Sequence, residues 1–170
     1  MEPYWDSIKR IIIESDIVLE ILDARLIELS RNEEVERLIK EIKRPVIFVV
    51  NKFDLVQEDK IRNQIETLRK DGEVVFVSNK NRKSARILIS KIKMLFSKYG
   101  KRDIKKSMAK PTADYREAKG EIVVGVLGYP NVGKSSIINA LAFKNKVKVS
   151  KKAGTTHGIH WIKASSGIKL

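Results

Sequence analysis

Two hydrophobic patterns alternate along this chain, and together they predict its secondary structure. Short apolar runs are typical of strands that a parallel sheet buries on both faces, and they cover residues 16–22, 46–50, 73–77, 121–127, 159–163 and 168–170. Apolar residues at helical spacing predict helices over residues 5–14, 33–42, 58–69, 84–96 and 134–143. Asn32 is the predicted N-cap of the second helix. The alternation predicts the α/β class, with a mostly parallel sheet and helices on both faces.

One segment interrupts this alternation. Residues 99–120 are basic and poor in apolar residues, and they include Pro111 and Gly120, which are typical of turns and loops. We interpret the segment as a connector within one domain, residues 1–170, between a first half (1–98) and a second half (121–170). A length of 170 residues suits a single domain of ordinary size.

The second half opens with a phosphate-binding signature. Residues 128–135, Gly-Tyr-Pro-Asn-Val-Gly-Lys-Ser, fit G-x-x-x-x-G-K-[ST] and lie between a predicted strand and a predicted helix, the context that such a P-loop requires. Lys134 would neutralise the β- and γ-phosphates, and Ser135 would ligate magnesium. A chance glycine turn before a helix is the alternative. The residues predicted to bind nucleotide here are Gly128, Asn131, Val132, Gly133, Lys134, Ser135 and Ser136.

The first half carries a purine-recognition signature, Asn51-Lys52-Phe53-Asp54. It follows a predicted buried strand, where α/β sheets bind ligands. Asp54 can accept hydrogen bonds from N1–H and the exocyclic amine of guanine, a donor pair that adenine lacks. Asn51 would tie the loop to the P-loop and the base, and the Lys52 stem would cover the base plane. Alone, the motif could be a helix cap with an Asx turn. GTPases ordinarily carry it after the P-loop, so its position before the P-loop predicts a circular permutation.

Ser78-Asn79-Lys80 ends the next predicted strand. In GTPases a short segment at this place presents a backbone amide to guanine O6, so we predict that Ser78, Asn79 and Lys80 bind the nucleotide. A plain strand-to-loop turn fits the same residues nearly as well.

The loop after the P-loop helix holds two threonines, Thr155 and Thr156. A threonine there can complete magnesium coordination and sense the γ-phosphate, which makes the loop a switch; Thr156 is the preferred ligand. A small-residue turn is the alternative. We interpret His157 and His160 as RNA contacts or bystanders rather than general bases, and no Cys, His or acidic cluster predicts a second metal site.

Charge is distributed unevenly along the chain. The net charge is +14, but residues 1–73 hold 13 Lys/Arg and 17 Asp/Glu, a net of −4, and residues 74–170 hold 22 and 4, a net of +18. Such a field suits a polyanion, with RNA as the first candidate; a solvated lysine-rich surface is the alternative. The chain has no cysteine, and its apolar runs are too short to span a bilayer. We therefore expect a cytoplasmic protein with no membrane partner.

The chain resembles the circularly permuted GTPases of the YlqF/YawG (RbgA-like) family. The resemblance rests on the order of residues 51–54, 78–80, 128–135 and 154–156, and on Asp23-Ala24-Arg25, which is similar to that family's Asp-Ala-Arg signature. It implies a Ras-like GTPase fold, hydrolysis of GTP to GDP with magnesium, and a role in assembling the large ribosomal subunit by binding ribosomal RNA. It also implies that Asn131 binds a potassium ion beside the phosphates.

The chain departs from the family pattern at three points. Ile27 stands where the family usually has proline, and residues 1–15 lack the histidine of the bacterial branch, so we expect an archaeal or eukaryotic-type branch. The family's D-x-P-G motif would follow the strand that begins at Ile168, beyond Leu170. We therefore interpret the chain as a truncated piece of a longer protein and expect weak nucleotide binding and little hydrolysis from this piece alone. No hydrolytic residue is assigned.

Two other functions fit the sequence. One is an RNA-binding module with vestigial nucleotide binding, and the other is a GTPase that acts in a different translation-related step, such as tRNA modification.

Overall fold

The computed structural model describes residues 3–102, 122–142 and 168–170. Its strands are β1 (Ile17–Asp23), β2 (Val46–Asn51), β3 (Glu73–Phe76), β4 (Ile122–Leu127) and β5 (Ile168–Lys169). Its α-helices are α1 (Pro3–Glu14), α2 (Ile27–Ser30), α3 (Glu33–Ile42), α4 (Glu58–Asp71), α5 (Lys83–Tyr99) and α6 (Lys134–Leu141), and a 3-10 helix covers Phe53–Leu55.

The strands form one sheet in the order β3-β2-β1-β4-β5, and every neighbouring pair is parallel. The central strand, β1, is buried along its whole length. Asp23 at the end of β1 is in register with Asn51 at the end of β2, and Glu20 is in register with Leu127 at the end of β4. The carboxyl ends of these three strands therefore lie at the same edge of the sheet.

Helices cover both faces of the sheet, because every inner strand presents apolar side chains to each side. On one face, residues of β1 and β2 such as Ile21 and Val49 pack against α5 and α6. On the other face, Phe48 and Val50 pack against α4, and Val18 packs against α1 and α3. This arrangement confirms the predicted α/β class.

The predicted helices and strands within the described residues are present, with ends that differ by a few positions. Asn32 caps α3 as predicted, since its side chain accepts a hydrogen bond of 3.1 Å from Val35 N. The helix predicted over 134–143 ends earlier, at Leu141, because Ala142 adopts an extended backbone. Helix α5 runs to Tyr99, so the predicted connector starts inside a helix, and Gly100 ends that helix with φ of 74°.

Other predictions stay open or were incomplete. The strand over 159–163 and most of the connector lie outside the described residues, and the division into two halves stays a prediction. The short helix α2 and the 3-10 helix were not predicted, because each spans too few residues to show a period. Among the described residues, no helix combines the length and apolar character that a membrane span requires.

Candidate nucleotide-binding site

The loop of residues 51–54 and the P-loop, which we call the two signature loops, meet at the carboxyl edge of the sheet. Asn51 ends β2 and the P-loop, residues 128–135, follows β4, with only β1 between these two strands. Strand β1 lies between β2 and β4 and ends at Asp23, so its last residues reach both loops. The Asp23 carboxylate contacts Lys52, and Ile21 lies beside Gly128. The parallel topology thus explains why segments that are far apart in sequence share one site.

Asn51 joins the two loops through a buried hydrogen bond. Its Nδ2 atom donates to the backbone oxygen of Val132 over 3.0 Å. The Asn51 residue is 1% exposed, and its Oδ1 atom has no hydrogen-bond partner among the described residues. Gly133 makes this contact possible, since a Cβ atom at that position would collide with Asn51 Nδ2. The predicted tie between Asn51 and the P-loop is therefore present in the structure.

Lys52 makes a second link. It adopts a left-handed backbone (φ of 59°), which turns the chain sharply after β2. Its Nζ atom donates to the backbone oxygen of Asn131 over 2.7 Å and lies 2.8 Å from Asp23 Oδ2. The ammonium group is thus held between the P-loop and the end of β1.

Asp23 anchors Lys52 and is itself held by several donors. Arg25 donates to both carboxylate oxygens, from Nε over 3.0 Å and from Nη2 over 2.8 Å, and its backbone N–H donates to Oδ1. These hydrogen bonds, with Arg25 first and Lys52 next, hold the pKa of Asp23 well below its usual range although burial opposes the shift. The carboxylate therefore remains ionised at the centre of a network of two cations.

Sequence reasoning assigned no role to Asp23 beyond membership of a family signature. A usable signal was present: an acid ends a buried strand, and a basic residue follows two positions later, beside a loop with its own lysine. Ser30 on α2 also contributes, since its hydroxyl accepts a hydrogen bond of 3.1 Å from Asp23 N.

Asp54, Ser78 and Lys80, all predicted site residues, lie together. Ser78 Oγ donates to Asp54 Oδ1 over 2.8 Å, and Lys80 Nζ lies 3.2 Å from Asp54 Oδ2. The Ser78 hydrogen bond, followed by that of Lys80, lowers the pKa of Asp54. The Asp54 carboxylate is thus ionised, and the segment that follows β3 holds it in position. Asn79 between these partners is exposed to solvent.

The P-loop has the compact backbone that its glycines predict. A Cβ atom on Gly128 would approach the backbone oxygen of Ile21 to 2.8 Å, so only glycine lets the loop pass this close to β1. Asn131 and Gly133 have positive φ angles, 66° and 101°. Val132 between them is buried in the core and fixes the loop to the sheet.

Lys134 begins α6 and turns back over the loop. Its Nζ atom donates to the backbone oxygens of Gly128 over 2.7 Å and Tyr129 over 2.9 Å. Burial lowers the pKa of Lys134, and the partners of its ammonium among the described residues are neutral carbonyls. Ser135 and Ser136 follow in the first turn of α6, and the Ser135 hydroxyl forms no hydrogen bond with a described residue.

Four other residues named from the sequence, Thr155, Thr156, His157 and His160, lie outside the described residues. Within residues 3–102, 122–142 and 168–170, no group of three or more His, Asp or Glu side chains could hold a metal ion. The predicted magnesium site is of a different kind, because it would combine hydroxyl groups with phosphate oxygens.

The described residues form two cavities, one beside the first signature loop and one at the opposite edge of the sheet. One, of about 630 Å³, opens beside Asp54 between Arg25 and α4. The other, of about 500 Å³, lies at the amino ends of β2 and β3, on the edge opposite the two loops. Neither is lined by P-loop residues, so the loop contacts rather than a deep pocket define the candidate site.

The comparison with family models gives one match. Residues 123–170 fit the family described as 50S ribosome-binding GTPase. This segment starts in β4, immediately before the P-loop, and the matched family agrees with the chemistry of that loop.

Whole-chain comparisons find GTP-binding proteins. An uncharacterised GTP-binding protein of Methanocaldococcus jannaschii is 39% identical over 168 residues, which are 99% of this chain and 40% of the relative. Guanine nucleotide-binding protein-like 3 of Mus musculus is 35% identical over 98% of this chain and 32% of the relative. The GTPase grn1 of Schizosaccharomyces pombe is 31% identical over 98% of this chain and 37% of the relative.

These likenesses relate the chain to proteins that are named as GTP-binding proteins and GTPases. They cover nearly all of this chain, including the half that precedes the P-loop. The chain spans only about a third to two fifths of the length of these relatives.

Proposed function

We propose that this chain is the guanine-nucleotide-binding part of a GTPase that hydrolyses GTP to GDP and acts as a switch in assembly of the large ribosomal subunit through contact with ribosomal RNA. The observation that carries the proposal is the direct joining of the two signature loops, by Asn51 to Val132 and by Lys52 to Asn131. One ligand that spans both loops would be gripped at its base and at its phosphates.

At the base end, Asp54 supplies the specificity. Its ionised carboxylate would accept hydrogen bonds from N1–H and the exocyclic amine of guanine, while Ser78 and Lys80 hold it in position. Adenine offers no matching donor pair, and a polar site left unpaired discriminates by large factors. The Oδ1 atom of Asn51 has no hydrogen-bond partner among the described residues and would offer a further acceptor at the junction of the two loops.

At the phosphate end, the P-loop supplies backbone N–H groups and one cation. The amides around Gly133 and the amino end of α6 form an anion-binding concavity. Lys134 would exchange its two carbonyl contacts for phosphate oxygens, which would favour the charged ammonium that burial now disfavours. Nucleotide binding would therefore free Lys134 from its contacts with the loop backbone.

Ser135 fits a magnesium ion beside the phosphates, because its hydroxyl is in the first turn of α6 and unused by described residues. Magnesium, which takes oxygen ligands, would neutralise charge that develops on the phosphates. We extend the proposal to Thr156 as a second magnesium ligand and to a potassium ion at Asn131. Faster hydrolysis in potassium than in sodium chloride would support the latter, and equal rates would contradict it.

The ribosomal part of the proposal has separate support. The matching family is described as 50S ribosome-binding, and a further relative is named nuclear/nucleolar GTPase 2, from Oryza sativa, 32% identical over 98% of this chain. The net charge of +18 over residues 74–170 suits binding to RNA.

The nucleotide proposal is tested by titration with fluorescent GDP and competition by GTP and ATP. We expect competition by GTP but not by ATP, and a loss of this preference in Asp54→Asn, because the amide offers guanine only one acceptor. The matched control is Asp59→Asn, at an exposed aspartate on the adjacent helix that forms an ion pair with Arg62. Equal competition by ATP in the unchanged protein would overturn guanine recognition.

The ribosomal proposal is tested by co-sedimentation with precursors of the large subunit, with transfer RNA as competitor. Nucleotide-dependent co-sedimentation that transfer RNA does not displace would support it. Preferential binding to transfer RNA would favour another translation step, and RNA binding without measurable GDP binding would favour a module with a vestigial site.

A further inference from the structure

The outer surface of α5 is basic from end to end. No Asp or Glu occurs between Glu73 and Asp103. Six exposed cations lie on this helix or at its ends, and we call them the α5 face: Arg82, Lys83, Arg86, Lys93, Lys98 and Lys101. None of the six forms an ion pair with a residue in the described part of the chain.

Several cations elsewhere in the described structure are paired with acidic residues. Arg31 lies 2.6 Å from Glu36, Lys40 lies 2.8 Å from Asp71, and Arg62 lies 2.8 Å from Asp59. Even around α5, the two lysines that are not in the α5 face are paired, Lys80 with Asp54 and Lys91 with Glu73. Cations without an ion pair among the described residues also occur elsewhere, such as Lys60, Arg69 and Lys70 on α4, but acidic residues stand among them there, whereas α5 carries basic residues and no acid.

The positions of the charges do not serve the stability of α5. Arg82 and Lys83 stand at its amino end, where no acid occurs in the first turn and Arg82 makes no side-chain cap. Positive charge at this end opposes the helix dipole. An anion bound there would relieve this repulsion, so the arrangement is better explained by a ligand than by folding.

The spacing of the charges fits a linear polyanion. Lys83, Arg86 and Lys93 share one exposed stripe with Ser90 and Ser97, on the side opposite the buried apolar residues. The helix has 17 residues and is about 25 Å long. Cations and hydroxyl groups that recur along such a length match a row of phosphates, whose contacts come mainly from basic and hydroxyl side chains.

The carboxyl end of the stripe adds a ring. Tyr99 is 58% exposed and lies under Lys98, whose Nζ is 5.3 Å from the ring centroid. An exposed ring at the end of a basic surface can stack on an unpaired base, which neither a lipid headgroup nor an acidic peptide requires.

We propose that the α5 face binds the phosphate backbone of RNA. This inference rests on the proposed ribosomal RNA partner and specifies where that partner contacts the domain. Arg86 and Lys93 belong to this face, and neither forms a hydrogen bond or an ion pair with the described residues of the two signature loops.

The test compares two double substitutions of the same kind in the full chain. Arg86→Gln with Lys93→Gln removes two charges of the α5 face, whereas Arg62→Gln with Arg69→Gln removes two exposed charges, also seven residues apart, from α4. The probe is a transcript of 23S ribosomal RNA, titrated at several salt concentrations. We expect the α5 pair to lower RNA affinity about tenfold or more and to reduce the slope of log affinity against log salt by about 1.5–2, with little change for the α4 pair.

Each other outcome is decisive. Equal losses for both pairs would show that net charge alone matters, and full retention of RNA affinity by the α5 pair would place the RNA contact elsewhere; both overturn the inference and leave the proposed function intact. Tighter binding to phosphatidylglycerol vesicles or to polyglutamate than to RNA would also overturn it. Fluorescent GDP binding is measured in parallel, because it is expected to stay unchanged in both variants and tests the nucleotide proposal separately.

Discussion

Asn51 and Val132 are 81 positions apart in the chain, yet the Asn51 side chain donates a buried hydrogen bond of 3.0 Å to the Val132 backbone. The contact requires that no Cβ stands at Gly133. It links the loop that would read the base to the loop that would hold the phosphates. The geometry of one loop is therefore coupled to that of the other, and local changes at the junction should affect both.

Gly133→Ala tests this junction. The methyl group would collide with Asn51 and would also be strained at φ of 101°. We expect unfolding free energy to fall by about 2–4 kcal/mol and GDP affinity to fall at least tenfold. The control is Gly100→Ala, where φ is also positive at 74° but nothing lies within 4 Å of the added Cβ. With ψ of −168°, Gly100 has a backbone that glycine alone adopts readily, so this substitution should cost about 1–3 kcal/mol but leave GDP binding unchanged; equal losses of GDP affinity at both glycines would show that the collision is unimportant.

Asp23→Asn tests the ion network that positions Lys52. At neutral pH we expect the variant to be less stable by about 1–2 kcal/mol and to bind GDP more weakly, because the 2.8 Å contact with Lys52 loses its charge. Asp23 has a lowered pKa in the folded state. Its stabilising contribution is therefore present above the ordinary aspartate pKa of about 3.9 and is lost as pH falls below that value.

Denaturant unfolding of both proteins from pH 7 to pH 2 measures this. The difference between Asp23→Asn and the unchanged chain should be constant down to about pH 4 and should then shrink. Asp6→Asn, at an exposed position of α1, is the control and should show little difference at any pH. A difference between the proteins that stays constant through the acid range would contradict the assigned network.

The sequence predicts the sheet and the meeting of its two loops for a clear reason. Buried parallel strands need long apolar runs, which Val46–Asn51 and Ile122–Leu127 show, and motifs at the ends of parallel strands must converge on one edge. The partners of Asp54 also follow, since Ser78 and Lys80 lie in the segment after the neighbouring strand β3.

The remaining contacts depend on tertiary structure that no local pattern encodes. Asp23 and Glu20 are both acids in the same apolar strand, and periodicity cannot tell that hydrogen bonds from two cations lower the pKa of one, whereas burial raises the pKa of the other. Likewise, nothing near Asp16 in the sequence indicates its partner 86 positions away. Helix α2 is too short to show a period, although its Ser30 supports Asp23.

Asp16→Asn tests how the two sequence halves are held together. The Asp16 carboxylate accepts hydrogen bonds from the backbone and side chain of Arg102, each 2.9 Å, and from the backbone N–H of Val123 over 2.8 Å. It thus fixes both segments that flank residues 103–121. Both side chains of this ion pair are buried, so the substitution leaves the Arg102 guanidinium without its counter-charge.

We expect the free energy of unfolding to fall by about 3–5 kcal/mol in Asp16→Asn, as for other broken buried ion pairs. Equilibrium urea unfolding measures it, and Asp59→Asn, at an exposed aspartate, should change it by less than about 0.5 kcal/mol. A loss below about 1 kcal/mol in Asp16→Asn would show that the contacts of Asp16 with Arg102 and Val123 contribute little to stability.

Glu20→Gln should stabilise the protein at neutral and alkaline pH. Glu20 is 1% exposed, its Oε1 accepts one hydrogen bond from Asn32 N, and its Oε2 has no partner among the described residues. Burial, with the nearby charge of Glu36, raises the pKa of Glu20 to about 8. The protonated form is therefore favoured by folding, so its contribution to stability is complete below the ordinary pKa of about 4.3 and is lost as pH rises towards 8.

Glutamine stays neutral and avoids this loss, and we expect a gain of about 1–3 kcal/mol at pH 8 that disappears near pH 4. Urea unfolding between pH 4 and pH 9 measures the gain, with the exposed Glu66→Gln as control; a gain that did not grow with pH would show that Glu20 is ionised in the folded protein at no cost.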